Sequence, residues 1–164
     1  RPLGLLLRTV QVNVYTVHQE QPRLWCARRA AHKAIDPGLL DSLVAGGIGC
    51  DETPLSTLFR EAAEEAGLSH ALARHALPTG IMDSTSLSED DGHTVLHRER
   101  MHVFDLQVPE GFQPTHPDGE TESAGLHPLE TVLSQVRQGQ WTREGAWASI
   151  NLMHRHQKGM LQLR

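Results

Sequence analysis

Glu61, Glu64 and Glu65 stand at i, i+3 and i+4. Residues three and four apart are neighbours on one face of a helix, so this spacing predicts three carboxylates projecting together. Like charges placed so repel, and Arg60 is the one cation close by in the sequence. A hard divalent ion relieves that repulsion, because Mg²⁺ and its relatives prefer carboxylate oxygens. Mg²⁺ also keeps waters and shares phosphate oxygens, which suits a cage the protein leaves incomplete. Taken alone the run reads as a solvated charged stripe; with the glycines, Glu52 and Arg60 around it, the three glutamates are read as ligands for Mg²⁺ or Mn²⁺.

The helix that must carry them is marked at both ends. Thr53 suits its N-cap, Pro54 its first position, and Gly67 the residue just past its end. Leu55, Leu58, Phe59, Ala62 and Ala66 make an apolar stripe at helical spacing. At about 100° per residue the carboxylates lie roughly 140° from the centre of that stripe. One side thus packs and the other presents acid. Gly46, Gly47 and Gly49 precede the helix and follow Leu43-Val44-Ala45, a short predicted strand. Glycines let backbone turn sharply and come close to a ligand, so Gly46 and Gly47 are candidates for the floor of a phosphate site. No G-K-[ST] follows them, which argues against a nucleoside-triphosphatase phosphate loop.

A chain of 164 residues is long enough for one domain with a proper core. Its net charge of -5 speaks against nucleic acid or an anionic membrane as the main partner. No apolar run reaches membrane-spanning length. Cys26 and Cys50 make neither a metal pair nor a disulfide framework, so a reducing, cytoplasmic setting is expected.

Val10, Val12, Val14 and Thr16 alternate with polar residues as in a half-buried strand, and Leu24 to Ala30 reads as a second. Ala31 to Gly38 is expected as a loop, Ser69 to Ala76 as a short helix, and Gly80 to Ser86 is ambiguous. Ser88 to Gly92 reads as a polar turn and His93 to Val108 as strand, with Phe104, Leu106 and Val108 on one face. A Pro/Gly loop, Pro109 to Gly119, leads to a strand over Thr121 to Leu126; helices follow over Pro128 to Gln138 and Thr142 to Gln157. This order predicts an α/β sandwich with a mixed sheet.

The residues from Gly46 to Leu68 follow G-x5-E-x7-R-E-U-x-E-E-x-G-U, where U is a bulky aliphatic; Ala62 alone is smaller than the pattern asks. This resembles the signature of the Nudix hydrolases, which cut diphosphate linkages with divalent metal. The resemblance implies a Nudix α/β/α sandwich spanning residues 1–164. The phrases RLWCARRAAHKAIDPGLLDSLVAGG, VFDLQVPEGFQPTHPDGETE and LHPLETVLSQVRQGQW narrow it to the branch related to thiamin pyrophosphokinase, from about Leu24 to about His156. Members of that branch carry a further N-terminal region, of which Arg1 to about Val10 is read as a remnant. The implied activity is hydrolysis of thiamin diphosphate, or its oxo and oxy analogues, to the monophosphate. Two alternatives stand beside it: a pyrophosphatase for ADP-ribose or oxidised nucleotides, and a non-catalytic ligand-binding module. The expected partner is a small-molecule diphosphate, with the protein a monomer or homodimer.

Within this resemblance Glu64 is a candidate general base as well as a ligand. Glu52 and Arg60 are expected as a supporting ion pair. The base in this family often comes from a distant loop, which points to Glu120 and Glu122; their i, i+2 spacing puts both on one strand face if the strand starts early. Arg28 and Arg29 are candidate phosphate contacts, since guanidinium suits phosphate geometry. Trp25, Trp141 and Trp147 are read as packing residues and His93, His97 and His102 as surface or packed histidines.

Overall fold

A computed structural model describes residues 5–90, 93–115 and 119–161, with the side chains of residues 88–90 and 93 left aside. Strands β1 (Leu6–His18), β2 (Gln21–Arg29), β3 (Leu40–Ser42) and β4 (Val44–Gly47) come first. Helices α1 (Pro54–Ala66) and α2 (His70–Ala73) follow, then β5 (Leu77–Asp90), β6 (His93–Gln107), β7 (Thr121–Pro128), α3 (Leu129–Arg137) and α4 (Arg143–Gln157). The α/β class and the mixed sheet agree with the sequence.

One strand organises the rest. β1 runs parallel to β6 from Leu6 to Tyr15 along one edge. Along its other edge it pairs antiparallel with β4 over Thr9–Val12 and with β2 over Tyr15–His18. β2 in turn pairs with β3 and β7. Because β1 hands its edge from β4 to β2, those two strands diverge, and a cleft opens between them.

The alternation in β1 predicts one solvated face, and the structure covers both. Val10, Val12 and Val14 pack with Leu58, Ala62 and Ala66 of α1. The polar positions Thr9, Gln11 and Asn13 are buried on the opposite face. Burying a polar residue costs free energy that hydrogen bonds offset. Asn13 Nδ2 donates to Asp105 Oδ1 at 3.0 Å and to the Ala148 carbonyl of α4 at 3.2 Å. Arg155 of α4 clamps Asp105 through both terminal nitrogens, one of them at 3.0 Å from Oδ1.

Other elements differ in extent. The ambiguous Gly80 to Ser86 lies within β5, which pairs with β6 from Leu77↔Asp105 out to Asp90↔His93. Much of the expected turn at Ser88 to Gly92 is therefore strand, residues 91 and 92 lying outside the described residues. Part of the segment read as an N-terminal remnant, residues 1–4, also lies outside them, and Leu6 to Val10 belong to β1. Trp25 and Trp141 are buried, Trp25 edge-on to Phe112, while Trp147 is partly exposed. Among the described residues no helix is long and apolar enough to cross a membrane.

Removing Arg155 leaves the Asp105 carboxylate buried without its charge partner. Arg155→Met is expected to cost about 3–5 kcal/mol of folding free energy, the range for breaking a buried pair, measured by urea denaturation. A loss below ~1 kcal/mol would show that the pair contributes only what a surface pair does.

Candidate active site

The acidic helix forms as its ends require. The Thr53 side chain accepts from the Ser56 N–H at 3.1 Å and Ser56 Oγ accepts from the Thr53 N–H at 2.9 Å, a reciprocal cap. Gly67 ends the helix at φ 61°, where a side chain is strained, and a Cβ there would lie 2.0 Å from Thr115 Oγ1. Leu58, Ala62 and Ala66 anchor one face in the core, while Leu55 is largely exposed. Ala62, the undersized residue of the motif, is fully buried, as a close approach of helix to sheet asks.

The opposite face meets the β4 glycines. A Cβ on Gly46 would fall 1.9 Å from Glu61 Oε1, so the bare backbone there is what gives the Glu61 side chain its place. Glu65 Oε2 accepts from the Ala45 N–H at 2.7 Å, tying helix to strand. Gly47 is exposed, and nothing lies within 4 Å of where its Cβ would stand.

Arg60 joins the remaining groups. Its Nε and Nη2 donate to the two oxygens of Glu52 at 2.8 and 3.0 Å. Nη1 donates to Glu61 Oε1 at 2.8 Å and to Glu64 Oε2 at 3.0 Å, and Nη2 reaches the Gly47 carbonyl at 3.3 Å. Glu52 also accepts from the Gly49 N–H at 2.9 Å and from Thr57 Oγ1 at 3.1 Å. The Arg60 hydrogen bonds, helped by the Gly49 N–H, hold the Glu52 carboxyl down at about 2. Burial pushes the Glu61 carboxyl up, against the pull of Arg60. A cation beside Glu61 opposes that upward push. Carboxylate oxygens on one helix face, with a Cβ-free cradle for one of them, are a donor set that fits a hard divalent ion. Among the described residues no group of three or more acidic, histidine or cysteine side chains stands close enough together to hold a metal ion, so the fit is one of donor type.

The distant acids part company. Glu120 lines a small cavity of about 30 Å³ together with Glu65, Arg29, Lys33 and Asp41, and Lys33 Nζ donates to its Oε2 at 2.5 Å. Glu122 does not share that face. Thr121 pairs with Arg29 and Ser123 with Arg28, which leaves Glu122 as the extra residue of a β-bulge, exposed to solvent. Asp118, just upstream in the same acidic run, lies outside the described residues.

The two arginines, adjacent on β2, are also separated. Arg28 Nη1 donates to the Gly38 carbonyl at 2.6 Å, outside the cleft lining. Arg29 lines the cleft, but its guanidinium is committed to the Ile35 carbonyl, at 3.2 and 3.0 Å, and to Asp41 Oδ2 at 3.2 Å. Neither is presented as a free phosphate contact.

The cleft between the diverging strands holds about 190 Å³ and adjoins Ala45, Gly46 and Gly47. A larger hollow of about 590 Å³ lies between the start of β2 and helices α3 and α4, and the acidic helix contributes nothing to it. No residue of α1 lines the smaller cleft either, but it shares with the helix carboxylates the backbone of Gly46, against which Glu61 stands, and of Ala45, whose N–H holds Glu65. Its walls include Gln11, Asp41, Glu99 and Thr142, which the sequence reading did not select. Burial pushes the Asp41 carboxyl up to about 6, against the hydrogen bonds of Ser42 and Thr142 and the charge of Arg29. An aspartate set among leucines, as in Leu39-Leu40-Asp41-Ser42-Leu43, was a usable signal for it. Gln11 and Glu99 gave none, because each sits at a polar position of an alternating or charged strand.

A NUDIX domain model matches residues 7–145. The chain is 32% identical over 154 residues to Nudix hydrolase 24, chloroplastic, of Arabidopsis thaliana, covering 93% of this chain and 41% of that protein. It is 32% identical over 148 residues to Nudix hydrolase 20, chloroplastic, of the same organism, covering 90% and 38%. The chain therefore spans about two fifths of the length of these curated relatives. In structure it is similar to the E. coli dihydroneopterin triphosphate pyrophosphohydrolase, with a TM-score of 0.63 at 16% identity over 87% of this chain and 91% of that one. The chain belongs to the Nudix family.

The Glu52–Arg60 pairing makes a pH prediction. A carboxyl held below its ordinary value of 4.5 adds stability that is present above that pH and is lost as pH falls toward about 2. Carbon NMR of the Glu52 carboxyl is expected to show a midpoint near 2, moving up toward 4.5 in Arg60→Leu. A midpoint unchanged by that substitution would assign the depression to the Gly49 and Thr57 hydrogen bonds instead.

Proposed function

We propose that this chain hydrolyses a diphosphate linkage with Mg²⁺ or Mn²⁺ held by Glu61, Glu64 and Glu65, and that its substrates are thiamin diphosphate and its oxo and oxy analogues. The observation that carries the hydrolase reading is the placement of the α1 carboxylate face against Ala45 and Gly46 beside an open cleft. Thiamin-type substrates are supported by the sequence phrases shared with the branch related to thiamin pyrophosphokinase.

The bound ion supplies charge neutralisation for the phosphates and acidification of a water. The chain's own groups do the positioning. Arg60, gripped by Glu52, fixes the side chains of Glu61 and Glu64 from behind, and such support typically weighs about 10–100-fold in metal affinity or activity. Gly47 leaves its backbone open to a phosphate oxygen. Glu120, oriented by Lys33 and lining the same small cavity as Glu65, is favoured over Glu122 as the group that takes the proton from the attacking water, with Glu64 the other candidate. The reading includes one domain, a small-molecule partner and a reducing compartment; both cysteines are free thiols.

Phosphate release should be assayed with Mg²⁺ or Mn²⁺ on thiamin diphosphate, oxythiamin diphosphate, ADP-ribose and 8-oxo-dGTP. The thiamin compounds are expected to lead; a nucleotide in front would keep the hydrolase and discard the thiamin assignment. Glu65→Gln is expected to lower metal-dependent turnover by about 10²-fold or more while the circular dichroism spectrum stays unchanged, since an ion's contribution to charge stabilisation is several kcal/mol. Near-normal activity in that variant would remove Glu65 from the ligand set.

A further inference from the structure

The sheet is open along β5. This strand ends the order β3-β2-β1-β6-β5, and among the described residues only β6 pairs with it. The other end of that order is guarded: β3 has three residues, and its Leu40 bridges to Trp141. A long edge strand is a template for another chain, and proteins blunt it with lysine, proline, bulges or charge. Between Thr79 and Ser88, β5 holds neither proline nor lysine, and its break in register lies at its start, between Pro78 and Gly80. Asp83 is the one charged residue in that span, and Arg100 holds both its oxygens, at 2.8 and 2.9 Å. Ile81, 60% exposed, and Leu87, 68% exposed, stand on one uncovered face, Leu87 directly across from the exposed Leu96. β1 joins β6 only from Arg98 onward. The stretch carrying Leu87 and Leu96 is therefore a ribbon of two strands, which is marginal in water on its own.

We propose that β5 pairs with β5 of a second copy of this chain, antiparallel about a two-fold axis normal to the sheet. Such a contact is isologous, so residue i meets j and j meets i. Directly opposed residues must point to the same face, which places the axis at a residue rather than between two. Centred on Ser84, Ile81 meets Leu87 of the partner subunit, and by symmetry Leu87 meets Ile81 of the partner subunit. Met82 then meets Ser86, and Asp83 meets Thr85, whose hydroxyl is a donor for it. Neighbouring centres do worse. Asp83 would oppose two aspartates, Met82 would set Ile81 against Asp83, and Thr85 would set Asp83 against Leu87. The register on Ser84 joins apolar to apolar and opposes no like charges. It also continues the existing pair, so that Leu96, Leu87 and Ile81 of the partner subunit form one apolar row across the joined sheets. This self-complementarity is what favours a second copy over a strand of another protein. The pairing goes beyond the hydrolase reading and does not depend on it.

Sedimentation equilibrium tests it, with reductant present because Cys50 is an exposed thiol. At roughly 100 µM, a concentration suited to a small interface, the wild-type chain is expected to be a dimer. Ile81→Lys combined with Leu87→Lys sets like charges opposite each other and is expected to raise the dissociation constant at least about 10-fold. Ile81→Lys combined with Leu87→Glu sets opposite charges there and is expected to recover most of that loss. The two positions are on the order of 20 Å apart along one strand, so recovery reports contact between copies and not within one. Both side chains are exposed, and the circular dichroism spectrum is expected to stay unchanged. Should either variant fail to fold, hydrogen exchange on the wild-type chain decides. Amides within residues 81–87 are then expected to exchange at least about 3-fold more slowly at roughly 100 µM than at roughly 1 µM. A monomeric wild-type chain would overturn the proposal and leave the edge to a different protein. A dimer indifferent to the paired lysines, a loss that opposite charges do not recover, or exchange independent of concentration would overturn it by placing the contact elsewhere.

Discussion

Two glutamates of one helix, Glu61 and Glu64, and Glu52 just before it are held together by a single guanidinium. Arg60 spends one edge on both oxygens of Glu52 and one corner on Glu61 and Glu64, with a weaker reach to the Gly47 carbonyl. Each end of the arrangement is fixed elsewhere. Glu52 is pinned by the Gly49 N–H and Thr57, and Glu65 by the Ala45 N–H. The helix that carries the acids is thereby locked to the strand that carries the glycines. Without that lock the carboxylate face would be a repelling surface beside a loop; with it, the same residues present oxygen donors at a defined place. Like charges on a helix are a liability that becomes useful only when something else keeps them in position.

The lock also explains why glycine is needed at Gly46. Glu61 is drawn toward the sheet by the core packing of Leu58 and Ala62 on the same helix, and it meets the backbone of β4. Any side chain at Gly46 would occupy the space of the Glu61 carboxyl. The buried alanines and the bare glycine are two halves of one constraint, a short helix-to-strand distance. Ala62 departs from the bulky aliphatic of the motif without disturbing that constraint, since the close contact needs only that the position be apolar and small enough.

Much of α1 was legible because its signals are local. A capping threonine, a proline, an apolar stripe and a closing glycine all lie within the span they govern, and the helix runs from Pro54 to Ala66 as they ask. The cleft was illegible for the opposite reason. It exists because β1 changes partners from β4 to β2, and no residue of β1 announces a change of neighbour. The alternation of valines with Gln11 and Asn13 told which side chains share a face but not that α4 covers the polar one. Glu122 was misplaced by a similar gap: the i, i+2 rule assumes a regular strand, and the bulge opposite Arg28 and Arg29 breaks the phase. Arg28 and Arg29 looked available because the carbonyls of the 31–38 loop that engage them leave no trace in side-chain pattern.

The polarity of the cleft follows from the same topology. β1 sends Val10 and Val12 toward the acidic helix and Thr9 and Gln11 to the cleft, so the strand that builds the hydrophobic floor of α1 also builds one wall of the cleft. β6, its parallel partner, adds Glu99 through Thr9, and α4 adds Thr142 and Glu144 by approaching β3 closely at Gly145, where a Cβ would lie 2.6 Å from Asp41 Oδ1. This wall is not isolated from α1, since Asp41 also shares a small cavity with Glu65.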